Sequence, residues 1–259
     1  MTRRHFAFDC EGNRLAATLD EGADSAGLLI VGGGNETRAG PFSSHARLAA
    51  RIASAGHPVL RFDRRGVGDS EGVNMGFRNE AEDIAAAHAS FRRECPALKR
   101  VVAFGNCDAA SALMLAGGEG FDGLILSNPW TYEDENAAAP PPPAAIRARY
   151  AEKLKSPREV LRLMTGKVSF AKLARGLAGA LAKPQATGLA AAMRDALGRF
   201  DGPVRILVAE RDRTGQAFLA AWDARDTRVH RCPGADHAYS DDASSEWLVA
   251  QILAALADE

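Results

Sequence analysis

Val101-Val102-Ala103-Phe104-Gly105-Asn106-Cys107-Asp108-Ala109-Ala110-Ser111 is the stretch that decides the fold. A β-branched, apolar run breaks at a glycine and a small-residue helical segment begins, so the stretch reads as strand, sharp turn and helix with a thiol at the apex. That is the layout of a nucleophile elbow, in which the central residue of a G-x-S-x-G pattern is held on a strained turn and stands clear of the sheet. Cys107 takes the central place. Gly105 lets the turn close without a Cβ clash, and Ala109 stands where the second glycine would be. The unpaired N–H groups at the start of the following helix favour an anion, here a thiolate. The competing reading is a buried cysteine between strand and helix, since free Cys is among the most buried residues.

Working outward, the chain alternates strand and helix signals. Toward the N-terminus, His5 to Phe8 and Arg14 to Leu19 flank the polar turn Glu11-Gly12-Asn13 and predict an opening hairpin. Gly27 to Val31 is the first buried strand and ends in Gly32-Gly33-Gly34-Asn35-Glu36, a loop whose backbone a ligand can approach. A helix follows from about Pro41, with Ser43 and Ser44 as caps and Leu48, Ile52 and Ala55 at helical spacing. Pro58 to Phe62 is the next strand, and Asn79 to Arg93 the next helix, stopped by Cys95-Pro96. Beyond the elbow, Phe121 to Leu126 supplies a strand that ends at Ser127-Asn128-Pro129-Trp130.

There the pattern changes. Residues 137–143 read Ala-Ala-Ala-Pro-Pro-Pro-Pro, a stiff extended connector. From about Ala144 to Phe200 the composition predicts several short amphipathic helices. Sheet signals resume at Pro203 to Ala209, followed by a helix near Gln216 to Trp222, a last strand near Thr227 to His230 and a final helix from about Ser244 to Ala257. The alternation predicts an α/β fold with a mostly parallel sheet covered by helices on both faces. Residues 1–129 and 201–259 would form its core, and residues 130–200 an inserted helical lid above the strand ends, where such sheets bind ligands.

Composition removes several functional classes. With 259 residues and 46% hydrophobic content, the chain can bury a full core. Its 32 basic and 33 acidic residues leave a formal charge of -1, which gives no electrostatic case for nucleic acid or an anionic membrane. The basic start Met1-Thr2-Arg3-Arg4-His5 is not followed by an apolar stretch, so neither a secretory signal nor a membrane span is expected. Cys10, Cys95, Cys107 and Cys232 are far apart and form no C-x-x-C pair, which suggests neither a metal site nor a disulfide framework and fits a reducing cytoplasm.

A nucleophile at an elbow needs a base, and the base an orienting acid, in the chain order nucleophile, acid, histidine. Asp212, just past the strand ending at Ala209, and His237, between the last strand and last helix, supply that order. Glu210 and Asp236 are the nearest alternative acids. His5, His45, His57 and His88 fall on early elements as solvated or core-edge residues, and His230 ends a strand at the surface. Donors for a developing oxyanion would be the backbone N–H of Asp108 and one from Gly33, Gly34 or Asn35. Gly33, Asn128 and Trp130 are expected to bind substrate. The Asp108 carboxylate favours the helix start but opposes a thiolate at Cys107.

Gly32-Gly33-Gly34, Asp63-Arg64-Arg65-Gly66-Val67-Gly68-Asp69-Ser70, the elbow at Cys107, Asp212 and His237 together resemble the α/β-hydrolase superfamily over nearly the whole chain. More narrowly, Gly33-Gly34-Asn35-Glu36-Thr37-Arg38-Ala39-Gly40, Asp63 to Gly72 and Gly105-Asn106-Cys107-Asp108-Ala109 look like the exosortase A system-associated hydrolase 1 family. Members are encoded beside bacterial protein-sorting and exopolysaccharide genes. The resemblance implies a sheet of about eight strands, a cytoplasmic location and no cofactor; it supplies no substrate, and the elbow chemistry leads us to expect a small-molecule acyl substrate. Cys107 in place of serine departs from the superfamily pattern. The expectation is ester or thioester hydrolysis through a Cys107, His237, Asp212 triad, with acyl transfer by the same thiol as its close variant and a non-catalytic binding protein as the alternative.

Overall fold

A computed structural model describes residues 2–133 and 188–258. Along these residues the strands and α-helices run in the order β1 (Arg3–Cys10), β2 (Asn13–Asp20), β3 (Ala26–Val31), α1 (Ser44–Ser54), β4 (Val59–Phe62), α2 (Ala81–Glu94), β5 (Arg100–Asn106), α3 (Asp108–Leu115), β6 (Gly123–Ser127), α4 (Gly188–Leu197), β7 (Val204–Ala209), α5 (Arg213–Ala221), β8 (Val229–Cys232) and α6 (Asp242–Ala257). The eight strands form one sheet in the order β1-β2-β4-β3-β5-β6-β7-β8. Pairings β1 to β2 and β2 to β4 are antiparallel, and every pairing from β4 to β8 is parallel.

Alternating side chains of the central strands feed two apolar layers, because successive residues of a strand point to opposite faces. Leu29, Val31, Val101, Ala103, Leu124 and Leu126 pack with residues of α2, α3, α4 and α5. Leu28, Ile30, Val102, Phe104 and Ile125 pack with residues of α1 and α6 on the other face. Strands buried on both faces explain the unbroken apolar runs of β3, β5 and β6.

Several boundaries differ from those read from the sequence. The final strand is Val229–Cys232, two residues later than expected. Helix α1 follows a 3-10 turn at Pro41–Ser43, and its N-cap residue Ser43 has φ 60° and makes no side-chain cap bond. His45 is also more deeply placed than a core-edge residue, at 7% exposure. Of the expected lid, residues 134–187 lie outside the described residues. Within its C-terminal part, α4 sends Leu189, Met193 and Leu197 into the same apolar layer as α3. Glu133 Oε1 accepts from the Leu189 N–H at 3.0 Å, so the described residues on either side of 134–187 meet at one place.

Candidate active site

The loops that follow β3, β5, β7 and β8 converge at the C-terminal edge of the parallel strands, the usual ligand side of such a sheet. Cys107 sits between β5 and α3 with φ 63° and ψ −126°, a conformation L-residues rarely adopt. Backbone bonds hold the strained residue: its N–H donates to Ser127 O at 2.9 Å and its C=O accepts from Trp130 N–H at 3.2 Å. At Gly105 a Cβ would lie 2.8 Å from both Ala109 C and Ala110 N, so the start of α3 crosses the end of β5 where a side chain would be. Ala109 is fully buried in this crossing, which accounts for its small side chain.

Asp212 performs two tasks with one carboxylate. As the N-cap of α5, its Oδ2 accepts the Gly215 N–H at 2.8 Å. The same Oδ2 lies 3.0 Å from His237 Nδ1. An ionised carboxylate only accepts, so this contact places a proton on Nδ1 and turns Nε2 away from Asp212. The Cys107 side chain lines one cleft with the imidazole and lies close enough to act on its pKa. Burial acts to lower the pKa of His237, but the Asp212 hydrogen bond, the Cys107 contact and the charges of both outweigh it and raise it to about 10. The imidazolium therefore persists through neutral pH. The rival acids do not meet it through their carboxylates: Asp236 folds back on its own loop, accepting from Ala238 N at 3.1 Å and Ser240 N at 3.0 Å.

A buried polar layer supports this triad from below. Asn106 Nδ2 lies 3.3 Å from His237 Nε2 and 3.3 Å from its carbonyl oxygen. Its Oδ1 accepts from Asn128 Nδ2 at 3.1 Å. Asn128 was expected to touch substrate, and the structure corrects this: it is fully buried, and its Oδ1 accepts the Ala209 N–H at 2.8 Å. It joins β6 to β7 and braces Asn106. The Ser127 hydroxyl and the buried Tyr239 phenol, 3.1 Å apart, complete the layer.

The thiol opens on a cleft of ≈ 520 Å³ whose lining includes Gly33, Gly34, Asn35, Glu36, Arg64, Phe77, Asp108, Trp130 and His237. Gly33 and Trp130, expected to bind substrate, line this cleft. Gly34 is not free to serve as an oxyanion donor, because its N–H donates to both oxygens of the Asp108 carboxylate, at 2.9 and 2.8 Å. Its carbonyl is also held, by Arg64, whose guanidinium pairs with buried Glu80. Sequence reasoning missed Asn106, Glu36, Arg64 and Glu80. The signal for Asn106 lay inside the elbow, directly before Cys107, whereas the Arg64–Glu80 pair spans residues with no shared motif.

Comparisons with known proteins follow the same outline. A model of the alpha/beta hydrolase family matches residues 28–251. An esterase from Pyrococcus furiosus is similar in structure, with TM-score 0.61 and 16% identity over 98% of this chain and 90% of that one. A serine hydrolase from Xanthomonas campestris, described as lacking a lid, aligns with TM-score 0.60 and 13% identity over 99% of this chain and 94% of that one. The thioesterase domain of the curacin biosynthetic pathway aligns with TM-score 0.57 and 15% identity over 98% of this chain and all of that one (100%). At these identities the likeness is one of fold. No curated protein matches the sequence. Among the described residues no helix is long and apolar enough to cross a membrane.

Proposed function

The chain belongs to the alpha/beta hydrolase family, and on that premise we propose that it hydrolyses esters or thioesters through an acyl-enzyme on Cys107. One observation carries the reading. A strained elbow thiol and an imidazole line one cleft, and the imidazole Nδ1 is 3.0 Å from a helix-capping carboxylate. In the first step the Cys107 thiolate attacks the acyl carbon and a tetrahedral oxyanion forms. Its collapse expels the alkoxide or thiolate leaving group, which takes the proton from His237 Nε2. Neutral His237 then accepts a proton from water as the water attacks the thioester, and collapse returns that proton to the Cys107 sulfur or leaves the ion pair. Asp212 keeps Nδ1–H bonded throughout and does not itself take the proton.

The loops Gly33 to Gly40 and Asp63 to Gly72 support a narrower assignment, to the exosortase A system-associated hydrolase 1 family and its genomic link to exopolysaccharide systems. Acyl hydrolases are also found among the structural neighbours, by their descriptions an esterase and a thioesterase domain.

The test is a panel of p-nitrophenyl esters and acyl thioesters assayed with wild type, Cys107→Ala and Asp212→Asn. Wild type is expected to turn over at least one member. Cys107→Ala should lose about 10⁴-fold or more in kcat, and Asp212→Asn about 10²-fold to 10⁴-fold through the imidazole's tautomer. Equal rates in wild type and Cys107→Ala would remove the thiol from the mechanism.

A further inference from the structure

The Asp108 carboxylate occupies the position in which an oxyanion donor was expected to be open. Its two oxygens accept the Gly34 N–H. Gly33 makes room for it, since a Cβ there would lie 2.4 Å from Asp108 Oδ1. The anion is thus seated on the glycine loop beside the nucleophile, where a substrate carbonyl oxygen would have to displace it.

Displacement leaves a carboxylate in a cleft already short of cations. Arg64 lines the cleft and its charge acts on Asp108, but its hydrogen bonds go to Glu80 and the Gly34 carbonyl. His237 is tied to Asp212. Glu36, a second carboxyl in the lining, has His45 at 3.8 Å and feels the charges of His237 and Arg64 without a direct ion pair to either. His45 is neutral at physiological pH, because burial first and the charge of Arg61 second lower it to about 4. Among the described residues no lysine or arginine is in ion-pair contact with Asp108 or Glu36. A carboxylate moved off its N–H donor needs a new donor, and a cationic group on the substrate supplies one. The aromatic lining at Trp130 and Phe77 is compatible with such a group.

We infer that Asp108 is a specificity-determining residue that selects acyl groups carrying an ammonium close to the scissile carbonyl. On binding, the substrate ammonium draws the Asp108 carboxylate away from Gly34, and the freed N–H receives the carbonyl oxygen. Neutral acyl groups must displace the carboxylate without compensation, and anionic ones meet Asp108 as a like charge. The inference rests on Cys107 as the nucleophile and adds the substrate class.

The experiment compares p-nitrophenyl esters of 3-aminopropanoic, butanoic and succinic acids, which differ in charge at similar acyl length, each rate divided by its hydroxide-catalysed rate. Wild type should prefer the aminopropanoyl ester over the butanoyl ester by tenfold or more in kcat/KM, with the succinyl ester slowest. Asp108→Asn, which keeps an acceptor for Gly34 but no charge, should reduce that preference at least fivefold. A second readout needs no turnover: alkylation of Cys107 by 2-bromoethylammonium and by iodoacetate, with free cysteine as the reference. The normalised ratio should exceed tenfold in wild type and fall at least threefold in Asp108→Asn. Equal rates on the amino and neutral esters, or a preference and an alkylation ratio that both survive Asp108→Asn, would overturn the assignment. If no ester acylates Cys107, the hydrolase reading fails, while the alkylation ratio still decides the charge selection.

Discussion

At the scale of single residues, the four cysteines show how placement sorts one side chain into different chemistries. Burial pushes the Cys10 thiol up to about 11, with the Asp83 charge adding to it, and burial likewise raises Cys95 and Cys232. Cys107 is half-buried at a cleft that it shares with His237. Iodoacetamide should therefore modify Cys107 first, by at least tenfold over the other three at pH 7. Peptide mapping reads this directly, and faster labelling of Cys95 would contradict it. Asp212 carries two bonds, and its variants should separate them. Asp212→Asn keeps an oxygen for the Gly215 N–H and loses mainly catalysis. Asp212→Ala loses the cap as well and should destabilise the fold by about 1 kcal/mol more, measured by urea unfolding.

At the scale of elements, the elbow depends on β5 and α3 crossing without a side chain between them. Gly105→Ala would drive a Cβ to 2.8 Å from backbone atoms of Ala109 and Ala110. Backbone at a helix start cannot swing aside, so the variant should cost about 2 kcal/mol or more. Gly33→Ala meets instead the tip of the Asp108 side chain, which can rotate. It should cost less stability than Gly105→Ala, as paired denaturation curves would show. This contrast also marks what the sequence made legible. The apolar runs of β3, β5 and β6, the glycine at the elbow and the ordered trio Cys107, Asp212 and His237 are local signals, and local signals predict elements and loop positions. The commitment of Asn128 to Asn106 and Ala209, the burial of His45 and the seating of Asp108 on Gly34 depend on where distant loops meet. No periodicity encodes those meetings. The shifted boundary of β8 has the same origin, because its end is set by pairing with Val208 and Ala209 rather than by its own composition.

For the whole molecule, the fold brings His237, Asp212 and Cys107 together from three strand ends and couples them to stability. His237 titrates near 10 in the folded chain against about 6.5 when unfolded. A group with a raised folded pKa stabilises fully below its unfolded value and loses that contribution as pH rises through the folded one. The melting temperature of wild type should accordingly exceed that of His237→Gln by more at pH 6 than at pH 10.5, in matched ionic strength; an equal gap at both values would contradict the charged state assigned to His237. The central claim, that this scaffold makes Cys107 the site of covalent catalysis, is tested most directly by rapid quench and mass spectrometry of wild type mixed with a turned-over thioester. The account predicts one acyl adduct, mapped to the Cys107 peptide, which forms and decays at rates no slower than turnover. Full turnover with no adduct at Cys107, or with the acyl group on another residue, would contradict it.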